Sequence, residues 1–244
     1  MTRLDQHLVA TGAARSRERA REAVAAGLVT VNGQVARKAS KSVGPSDEVA
    51  CAGEAHGYVG RGALKLAAAL DAFGADPSGR TCLDLGASTG GFTQVLLERG
   101  AARVFAVDVG HGQLAPEVAT DPRVVNLERT HARALTRALV PDPVGLLVCD
   151  VSFISLTKAL PPALALWAPD AEAVVLVKPQ FELGPERLGK GGIVREAPEA
   201  LAAWVEAEVS PWFAGQGWPV RGIMPSPITG GDGNAEFLVW AARA

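Results

Sequence analysis

The chain has 244 residues, a formal net charge of −2 and a hydrophobic share of 48%. This length fits one large domain, or a medium domain with a small appendage. No uncharged apolar run approaches the roughly 18 residues of a membrane span, and Asp5 with the arginines after it interrupts the region where a secretory signal would be apolar. We therefore expect a globular protein of the cytoplasm.

The first fifty residues predict two short helices and a small strand pair. Leu4 and Leu8 recur at helical spacing, and Ser16 is placed to cap a second helix. Asn32 followed by Gly33 indicates a tight two-residue hairpin. This segment therefore forms a small α+β unit.

Basic residues concentrate in this unit. Residues 1–46 hold eight lysines and arginines against three acidic residues. Arg17 and Arg21 are four apart, as are Arg15 and Arg19, so one helix face is expected to present guanidinium groups, which match phosphate oxygens. A solvated charged helix is the alternative. Lys190 and Arg195 lie on a glycine-rich loop after Lys178 that could fold over RNA, and a mobile surface loop is the alternative. The candidate RNA-binding residues are Arg3, Arg15, Arg17, Arg21, Lys38, Lys41, Lys190 and Arg195.

The segment from Arg3 to Val49 resembles the small RNA-binding domain first described in ribosomal protein S-four, also called the alpha-L domain. That domain also occurs on pseudouridine synthases and aminoacyl-tRNA synthetases, so the resemblance implies structured RNA without determining the chemistry. We expect this domain over residues 1–55, a linker over 56–62 and a second domain over 63–244. The most specific matching parts are Arg3-Leu4-Asp5, Ser16-Arg17, Gly27 and Val31-Asn32-Gly33.

Strand and helix patterns alternate through the second domain, which predicts a doubly wound α/β sheet with a mostly parallel core. The predicted strands are Thr81–Leu85, Arg103–Asp108, Val124–Leu127, Gly145–Asp150, Ala173–Lys178, Val220–Met224 and Glu236–Ala241. The predicted helices are Ala63–Phe73, Gly91–Arg99, Leu156–Leu166 and Glu196–Ala214.

The first of these strands ends in the sequence LDLGASTGGFT, a glycine-rich turn that opens a helix. Glycines let the backbone approach a ligand where a side chain would clash, beside helix N–H groups. Gly86, Gly90 and Gly91 do not fit G-x-G-x-x-G, and no P-loop lysine follows, so a pyrophosphate site is the weaker interpretation. A turn that uses glycine for packing alone is another. The D-x-G-x-x-x-G-G pattern looks like motif I of S-adenosylmethionine-dependent methyltransferases.

Acidic and aromatic residues after later strands complete a candidate cofactor site. Asp108 follows Asp84 by 24 residues. At this position nucleotide-binding sheets place a carboxylate that accepts hydrogen bonds from ribose hydroxyls. Glu128 follows the third strand, near the expected adenine ring, although a surface turn explains it nearly as well. Phe153 follows the fourth strand and would wall the pocket, with a core aromatic as the alternative. The candidate cofactor-binding residues are Asp84, Gly86, Ala87, Ser88, Thr89, Gly90, Gly91, Asp108, Glu128, Asp150 and Phe153.

Four polar residues stand in apolar or glycine-marked contexts, namely Lys65, Asp150, Lys178 and Glu236. Asp150 and Lys178 close strands that we expect to flank the first strand, at the edge that carries the glycine turn. Each residue alone has a structural explanation, because a helix lysine often reaches past apolar surface to water and an acidic strand end often caps a helix. Four of them together favour a catalytic site.

In order and context, these four residues match the K-D-K-E tetrad of FtsJ-like ribose 2′-O-methyltransferases. With the RNA-binding head, the whole chain is similar to the TlyA-type, or haemolysin A family, ribosomal RNA methyltransferases. The resemblance implies a Rossmann-like class I methyltransferase sheet with one antiparallel strand. It also implies S-adenosylmethionine as cofactor, ribosomal RNA or ribosomal subunits as partner, and 2′-O-methylation of cytidine with Lys178 as general base.

The chain departs from that family at three positions. Family members often carry asparagine where this chain has His131, and a basic residue plus tryptophan where it has His56 and Tyr58. These departures bear on adenine contacts and on coupling between the domains.

Three alternatives stay open. An RNA base methyltransferase is disfavoured because an N-P-P-Y tetrad and a suitably flanked catalytic cysteine are absent from the sequence. A non-enzymatic RNA-binding protein would not need both the donor site and the tetrad. A pore-forming haemolysin is disfavoured because the sequence has neither an apolar span nor an amphipathic cationic helix outside the RNA-binding head.

Cysteine usage points away from metal and disulfide chemistry. Cys51, Cys82 and Cys149 are odd in number and lack C-x-x-C spacing, and two of them lie inside apolar strand-like runs. We expect buried thiols and no metal site. The modified nucleotide and the oligomeric state are not determined by the sequence.

Overall fold

The computed structural model describes residues 1–53 and 57–243, so the linker residue His56 lies outside the described part. The chain divides into two compact units, Met1–Gly57 and Tyr58–Ala244, and each has its own apolar core. The predicted boundaries, with a separate linker over 56–62, stay a prediction. Within the described ranges, no helix is long and apolar enough to cross a membrane.

The N-terminal unit packs two helices and two small sheets around a core that includes Leu4, Leu8 and Val29. Ser16 caps the second helix as predicted, because its side chain accepts a hydrogen bond from the backbone of Arg19. The predicted hairpin is confirmed as an antiparallel pair. The elements are β1 (Thr2–Arg3), α1 (Leu4–Ala10), α2 (Arg17–Ala25), β2 (Val29–Val31), β3 (Gln34–Val35), β4 (Ser42–Val43) and β5 (Val49–Cys51).

One arginine of α2 does not join the expected exposed face. Arg19 is buried, with only 7% of its surface exposed, and pairs with Glu22 at 3.2 Å. The spacing of Arg15 and Arg19 was therefore misleading, because residue 19 falls on the side of α2 that faces the core next to Ala20.

The second unit is built on a seven-stranded sheet in the order β11-β12-β10-β9-β6-β7-β8. Strand β12 is antiparallel to both of its neighbours, and the other pairs of this sheet are parallel. The predicted fold class is confirmed, including its one antiparallel strand. The strands are β6 (Thr81–Leu85), β7 (Arg103–Val107), β8 (Val124–Leu127), β9 (Val144–Cys149), β10 (Trp167–Val177), β11 (Val220–Pro225) and β12 (Phe237–Ala242).

Helices cover both faces of this sheet. One apolar core lies under α3 and α4 and the other under α6, α8 and α9, as expected for a doubly wound fold. The helices are α3 (Gly62–Phe73), α4 (Gly91–Glu98), α5 (Pro116–Ala119), α6 (Leu156–Leu164), α7 (Pro179–Glu182), α8 (Pro198–Trp204) and α9 (Ser210–Gly215).

Most predicted elements differ from the observed ones by one or two residues at their ends, and two of the differences have identifiable reasons. Strand β10 begins at Trp167 rather than at Ala173, because its early part pairs with β9 through a register irregularity before Glu172, which a search for an unbroken apolar run misses. The single helix expected over 196–214 begins at Pro198 and contains a π-helical turn at Val205–Val209. That turn precedes Pro211, whose missing N–H interrupts the regular helical pattern.

The strand order corrects one expectation about the site. The strand before Asp150 does lie beside β6, but the strand before Lys178 lies one position further out, between β9 and β12. The other neighbour of β6 is β7. Strand order depends on the direction of each crossover, and hydrophobic periodicity does not encode that direction.

Candidate active site

The candidate site lies at the edge where three parallel strands end and an antiparallel strand begins. Asp150 follows β9, and its backbone N–H donates to the last carbonyl of β6 at 2.9 Å. Val177 of β10 lies opposite Phe237 of β12, so Lys178 and Glu236 are the next residues of two paired strands. The backbone alone therefore brings three of the four predicted polar residues to one edge.

The four predicted residues form two ion pairs. Lys65 Nζ lies 2.5 Å from Glu236 Oε2, and Lys178 Nζ lies 2.5 Å from Asp150 Oδ1. Both lysines and Glu236 are at most 8% exposed. A buried ammonium is costly unless it is paired, so each lysine has a carboxylate as its partner.

Helix α3 brings Lys65 to this edge. A Cβ atom added to Gly62, one turn before Lys65, would lie 3.4 Å from Asp150 Oδ2. The first turn of α3 therefore packs directly beside Asp150. Lys178 has a further partner that the sequence did not indicate, because its Nζ donates to Ser152 Oγ at 2.8 Å.

The glycine-rich turn is crowded by the protein itself. Gly86 has a φ of +89°, and a Cβ there would lie 2.7 Å from the backbone oxygen of Asp150. A Cβ on Gly91 would lie 3.0 Å from the oxygen of Gly60. Gly90, with a φ of +94°, faces side chains at a similar distance. These glycines are therefore required by close packing around the site, so the packing interpretation accounts for part of the motif.

The backbone N–H groups of the turn are largely occupied. Those of Gly86 and Ala87 donate to the Val107 carbonyl at the end of β7. The N–H of Ser88 donates to Asp108 Oδ2 at 2.8 Å. These hydrogen bonds hold the turn against β7. Thr89 is also fixed in place, because its carbonyl accepts a hydrogen bond from the backbone N–H of Ala115 at 3.0 Å.

Asp84 lies beneath this turn and outside the cavity wall. It is fully buried, and its Oδ2 accepts from Thr93 Oγ1 at 2.6 Å. No other described residue donates a hydrogen bond to its Oδ1. Burial raises the pKa of Asp84 to about 7, with a contribution of the same sign from Asp150 and an opposing one from the Thr93 hydrogen bond.

A cavity of about 490 Å³ opens over the ends of β6, β7 and β9. Its wall combines apolar side chains such as Val107, Val151 and Ile154 with a few polar groups, as ligand sites commonly do. The charged side chains in this lining are Asp108 and Asp150, and neither lysine nor arginine is among the described residues that form it. The cavity is therefore acidic.

Asp108 and Glu128 are both held by backbone amides, but in different places. Asp108 lines the cavity, and its Oδ1 accepts from Gly110 at 2.7 Å. Glu128 is not part of the cavity lining. Its carboxylate accepts from the N–H groups of residues 112–114, and these hydrogen bonds lower its pKa to about 2. Glu128 orders a loop, and its expected contact with a cofactor stays a prediction.

Phe153 stands at the cavity wall with its side chain 90% exposed, so the alternative of a core aromatic is wrong. Its φ of 64° is uncommon for a bulky residue and marks local strain. Its ring lies 5.1 Å from that of Phe181. His131 also lines the cavity, while Tyr58 packs against the core under α3.

Asn234 is a residue that the sequence did not single out. It is only 2% exposed. Its Oδ1 accepts from the backbone of Val194 at 2.9 Å, and its Nδ2 donates to the carbonyl of Gly192 at 3.1 Å. Asn234 thus ties the glycine-rich loop to the chain just before Glu236. An amide inside the sequence GNAEF, between glycine and an apolar strand, was the available signal.

The predicted RNA-binding side chains are all exposed. Lys190 and Arg195 lie on the loop that Asn234 holds. The other six lie in the N-terminal unit, where Arg3, Arg17 and Arg21 gather around Asp5.

The cysteines behave as expected for two of three positions. Cys82 and Cys149 are buried free thiols, and burial raises the pKa of each to about 12. Cys51 is partly exposed. Among residues 1–53 and 57–243, no group of three or more histidine, cysteine or acidic residues is arranged to hold a metal ion.

Two family models match the chain. The S4 domain matches residues 2–49, and the FtsJ-like methyltransferase model matches residues 58–243. Both resemblances predicted from the motifs are confirmed.

Relatives match over nearly the whole chain. The Mycobacterium tuberculosis protein named 16S/23S rRNA (cytidine-2′-O)-methyltransferase TlyA is 46% identical over 98% of this chain and 88% of its own length. Hemolysin A of Brachyspira hyodysenteriae is 35% identical over 97% of this chain and 98% of its own.

Solved structures agree with the fold. One from Streptococcus thermophilus, which carries the hemolysin name, is 38% identical with a TM-score of 0.78, covering 99% of this chain and 88% of that one. An S-adenosylmethionine-dependent methyltransferase from Listeria monocytogenes shares the fold, with 14% identity, a TM-score of 0.54 and coverage of 75% of this chain and all of the other.

The crowding at Gly86 predicts a large cost for any side chain there. Gly86→Ala should lower the free energy of unfolding by about 3 kcal/mol, because a positive φ and a backbone clash act together. Gly74→Ala is the matched control, with a φ of +70° and nothing within 4 Å of the added Cβ, and should cost about 1 kcal/mol. Urea unfolding measures both. Equal losses in the two variants would contradict the clash.

The raised pKa of Asp84 predicts a pH-dependent stability. The folded protein holds the proton of Asp84 more tightly than the unfolded chain does, because the pKa of this carboxyl in the unfolded chain has its ordinary value of 3.8. The resulting stability is fully present below about pH 4 and is lost as the pH rises through about 7. Asp84→Asn should flatten that dependence in thermal melts between these limits. An unchanged slope in the variant would show that other groups cause it.

Proposed function

The chain belongs to the FtsJ-like methyltransferases, and we propose that it transfers a methyl group from S-adenosylmethionine to the ribose 2′-hydroxyl of a cytidine in ribosomal RNA. The names of the relatives support this substrate, and the S4 domain supports RNA binding. One observation carries the proposal, namely two buried lysines, each paired with a carboxylate, beside an acidic cavity at a single sheet edge.

The charge of the cavity fits this cofactor better than a dinucleotide. When bound, S-adenosylmethionine supplies an electrophilic methyl group on a positively charged sulfur. The wall offers the carboxylates of Asp108 and Asp150, which favour a cation. A pyrophosphate would meet the same carboxylates with no lysine or arginine in the described lining. Asp108 would hold the ribose hydroxyls, because it already stands fixed at the end of β7.

Lys178 is proposed as the general base. A ribose hydroxyl is a poor nucleophile at neutral pH, so its proton must leave as the carbon–oxygen bond forms. Lys178 can accept that proton only as a neutral amine. Its Nζ contacts Asp150 Oδ1 at 2.5 Å. Asp150 also lines the cavity, so its carboxylate would serve both Lys178 and a cationic cofactor.

The other tetrad pair is proposed to orient the acceptor. Lys65 and Glu236 are hydrogen-bonded to each other at 2.5 Å and are buried, so their relative position is fixed. Their fixed geometry positions the ribose relative to Lys178, which is the larger part of what a transfer between two bound groups requires.

RNA contacts are proposed on both units. Lys190 and Arg195 lie on the loop held by Asn234, close in sequence to the catalytic strand ends. The basic N-terminal unit supplies the remainder. Ribosomal RNA is therefore the proposed partner.

The reaction class is tested by mapping the product. Ribosomal RNA is incubated with the protein and isotope-labelled S-adenosylmethionine, digested, and analysed by mass spectrometry of its nucleosides. We expect the label in 2′-O-methylcytidine. A label found only on nucleobases, or no transfer to RNA, would overturn the proposed function.

The role of Lys178 is tested by Lys178→Ala. We expect the turnover number to fall by about a hundredfold or more, because proton removal contributes that much to such reactions. The affinity for S-adenosylmethionine, measured by calorimetry, should stay within a few-fold of the wild-type value.

Lys158→Ala is the control for that variant. Lys158 is an exposed lysine on α6, and its removal should leave turnover unchanged. Near-normal turnover of Lys178→Ala with cofactor binding intact would exclude Lys178 as the base.

A further inference from the structure

A buried carboxylate, that of Asp5, lies beneath exposed arginines of the N-terminal unit. Asp5 is fully buried, and three arginines from two elements of the unit surround it. Arg3 Nε and Nη2 donate to its two oxygens at 3.0 and 3.1 Å. Arg17 Nη2 donates at 3.0 Å, and Arg21 Nε lies at 3.7 Å.

The three arginines remain at the surface while their common partner does not. Their side chains are 44%, 47% and 58% exposed. Arg3 comes from β1, whereas Arg17 and Arg21 are four residues apart on α2. Asp5 therefore draws guanidinium groups from two elements into one exposed cluster.

The carboxylate is charged at any pH where the protein would work. Its hydrogen bonds to Arg3, and then to Arg17, hold the pKa of Asp5 well below its usual range. The backbone N–H of Gln6 donates to Oδ1 as well, at 3.0 Å. Asp5 is thus a permanent negative charge beneath a positive surface.

We propose that Asp5 is a positioning residue for RNA binding, which holds Arg3, Arg17 and Arg21 in the arrangement that receives backbone phosphates. This inference rests on the proposed function, because that function supplies the RNA. Without a counter-charge, three guanidinium groups repel one another and regain their rotamer freedom. With Asp5 in place, each arginine keeps donors that it does not use on the carboxylate, and a guanidinium carries five.

The proposal reverses the effect expected from net charge. Removal of a negative charge from a basic surface normally strengthens binding to a polyanion. If Asp5 positions the arginines, its neutralisation weakens RNA binding instead. The two explanations therefore predict changes of opposite sign.

The test compares Asp5→Asn with Glu48→Gln in the full chain. Glu48 is an exposed residue of the same unit. Each variant therefore removes one negative charge from the N-terminal unit. Binding to deproteinised 23S ribosomal RNA is measured by filter binding over a series of KCl concentrations. Circular dichroism and the affinity for S-adenosylmethionine report whether each variant is folded.

We expect Asp5→Asn to bind this RNA about tenfold more weakly, since charge-assisted hydrogen bonds are lost. The slope of log affinity against log salt should fall in magnitude by about one to two, as phosphate contacts disappear. Glu48→Gln should bind as tightly as the wild type or slightly more tightly. A merely structural role for Asp5 would leave the salt slope of the folded variant unchanged.

A second variant keeps the test decisive if Asp5→Asn does not fold. Arg17→Lys retains the charge and the buried carboxylate but loses the planar fork, and should also bind more weakly. Wild-type affinity in a folded Asp5→Asn protein, or in Arg17→Lys when Asp5→Asn is unfolded, overturns the inference. If the wild-type chain neither binds nor methylates the RNA, the proposed function itself fails.

Discussion

The pairing of buried charge at the edge of the parallel sheet is the constraint on which the second unit depends. Two ammonium groups enter a nearly dry environment, and each needs a carboxylate within contact distance. Lys65 reaches Glu236 and Lys178 reaches Asp150 only because α3, β9, β10 and β12 meet there. A side chain at Gly86 would clash with the backbone of Asp150, whereas a Cβ at Gly62 would only touch its carboxylate, at 3.4 Å.

Negative charge accumulates around the neighbouring cavity without a matching positive charge in its described lining. Asp108 and Asp150 form part of the wall, and Asp84 lies beneath the glycine turn with a raised pKa. Lys178 compensates the charge of Asp150 from outside this lining, and a cationic ligand would give the carboxylates of the wall a further favourable partner. The proposed methyl donor is one. Asp150 connects the cavity wall with Lys178, because it lines the cavity and contacts the lysine.

The N-terminal unit uses the opposite arrangement for the same physical reason. There the carboxylate of Asp5 is buried and the cations are exposed, so that one internal charge orders several at the surface. At the active site the lysines are buried and are held by carboxylates around them. In both units an ionic group is held in place by a partner of opposite sign rather than by packing alone.

The sequence by itself determined what depends on local pattern. Strands β6 and β8 begin and end where predicted, the glycine turn opens α4, and the four polar residues stood out because their local contexts are apolar or rich in glycine. The predicted resemblance to two families needed no tertiary information. Periodicity, capping and motif spacing are properties of neighbouring residues, and they survive in the folded chain.

Only the tertiary structure decided which lysine meets which carboxylate, because these pairs join residues far apart in the chain. It also placed β10 one strand further from β6 than expected and extended it back to Trp167. Arg19 is buried although it was expected on an exposed helix face. Glu128 accepts hydrogen bonds from a loop backbone although it was expected to contact a cofactor. Crossover direction, strand register and burial depend on long-range packing, and hydrophobic pattern does not carry that information.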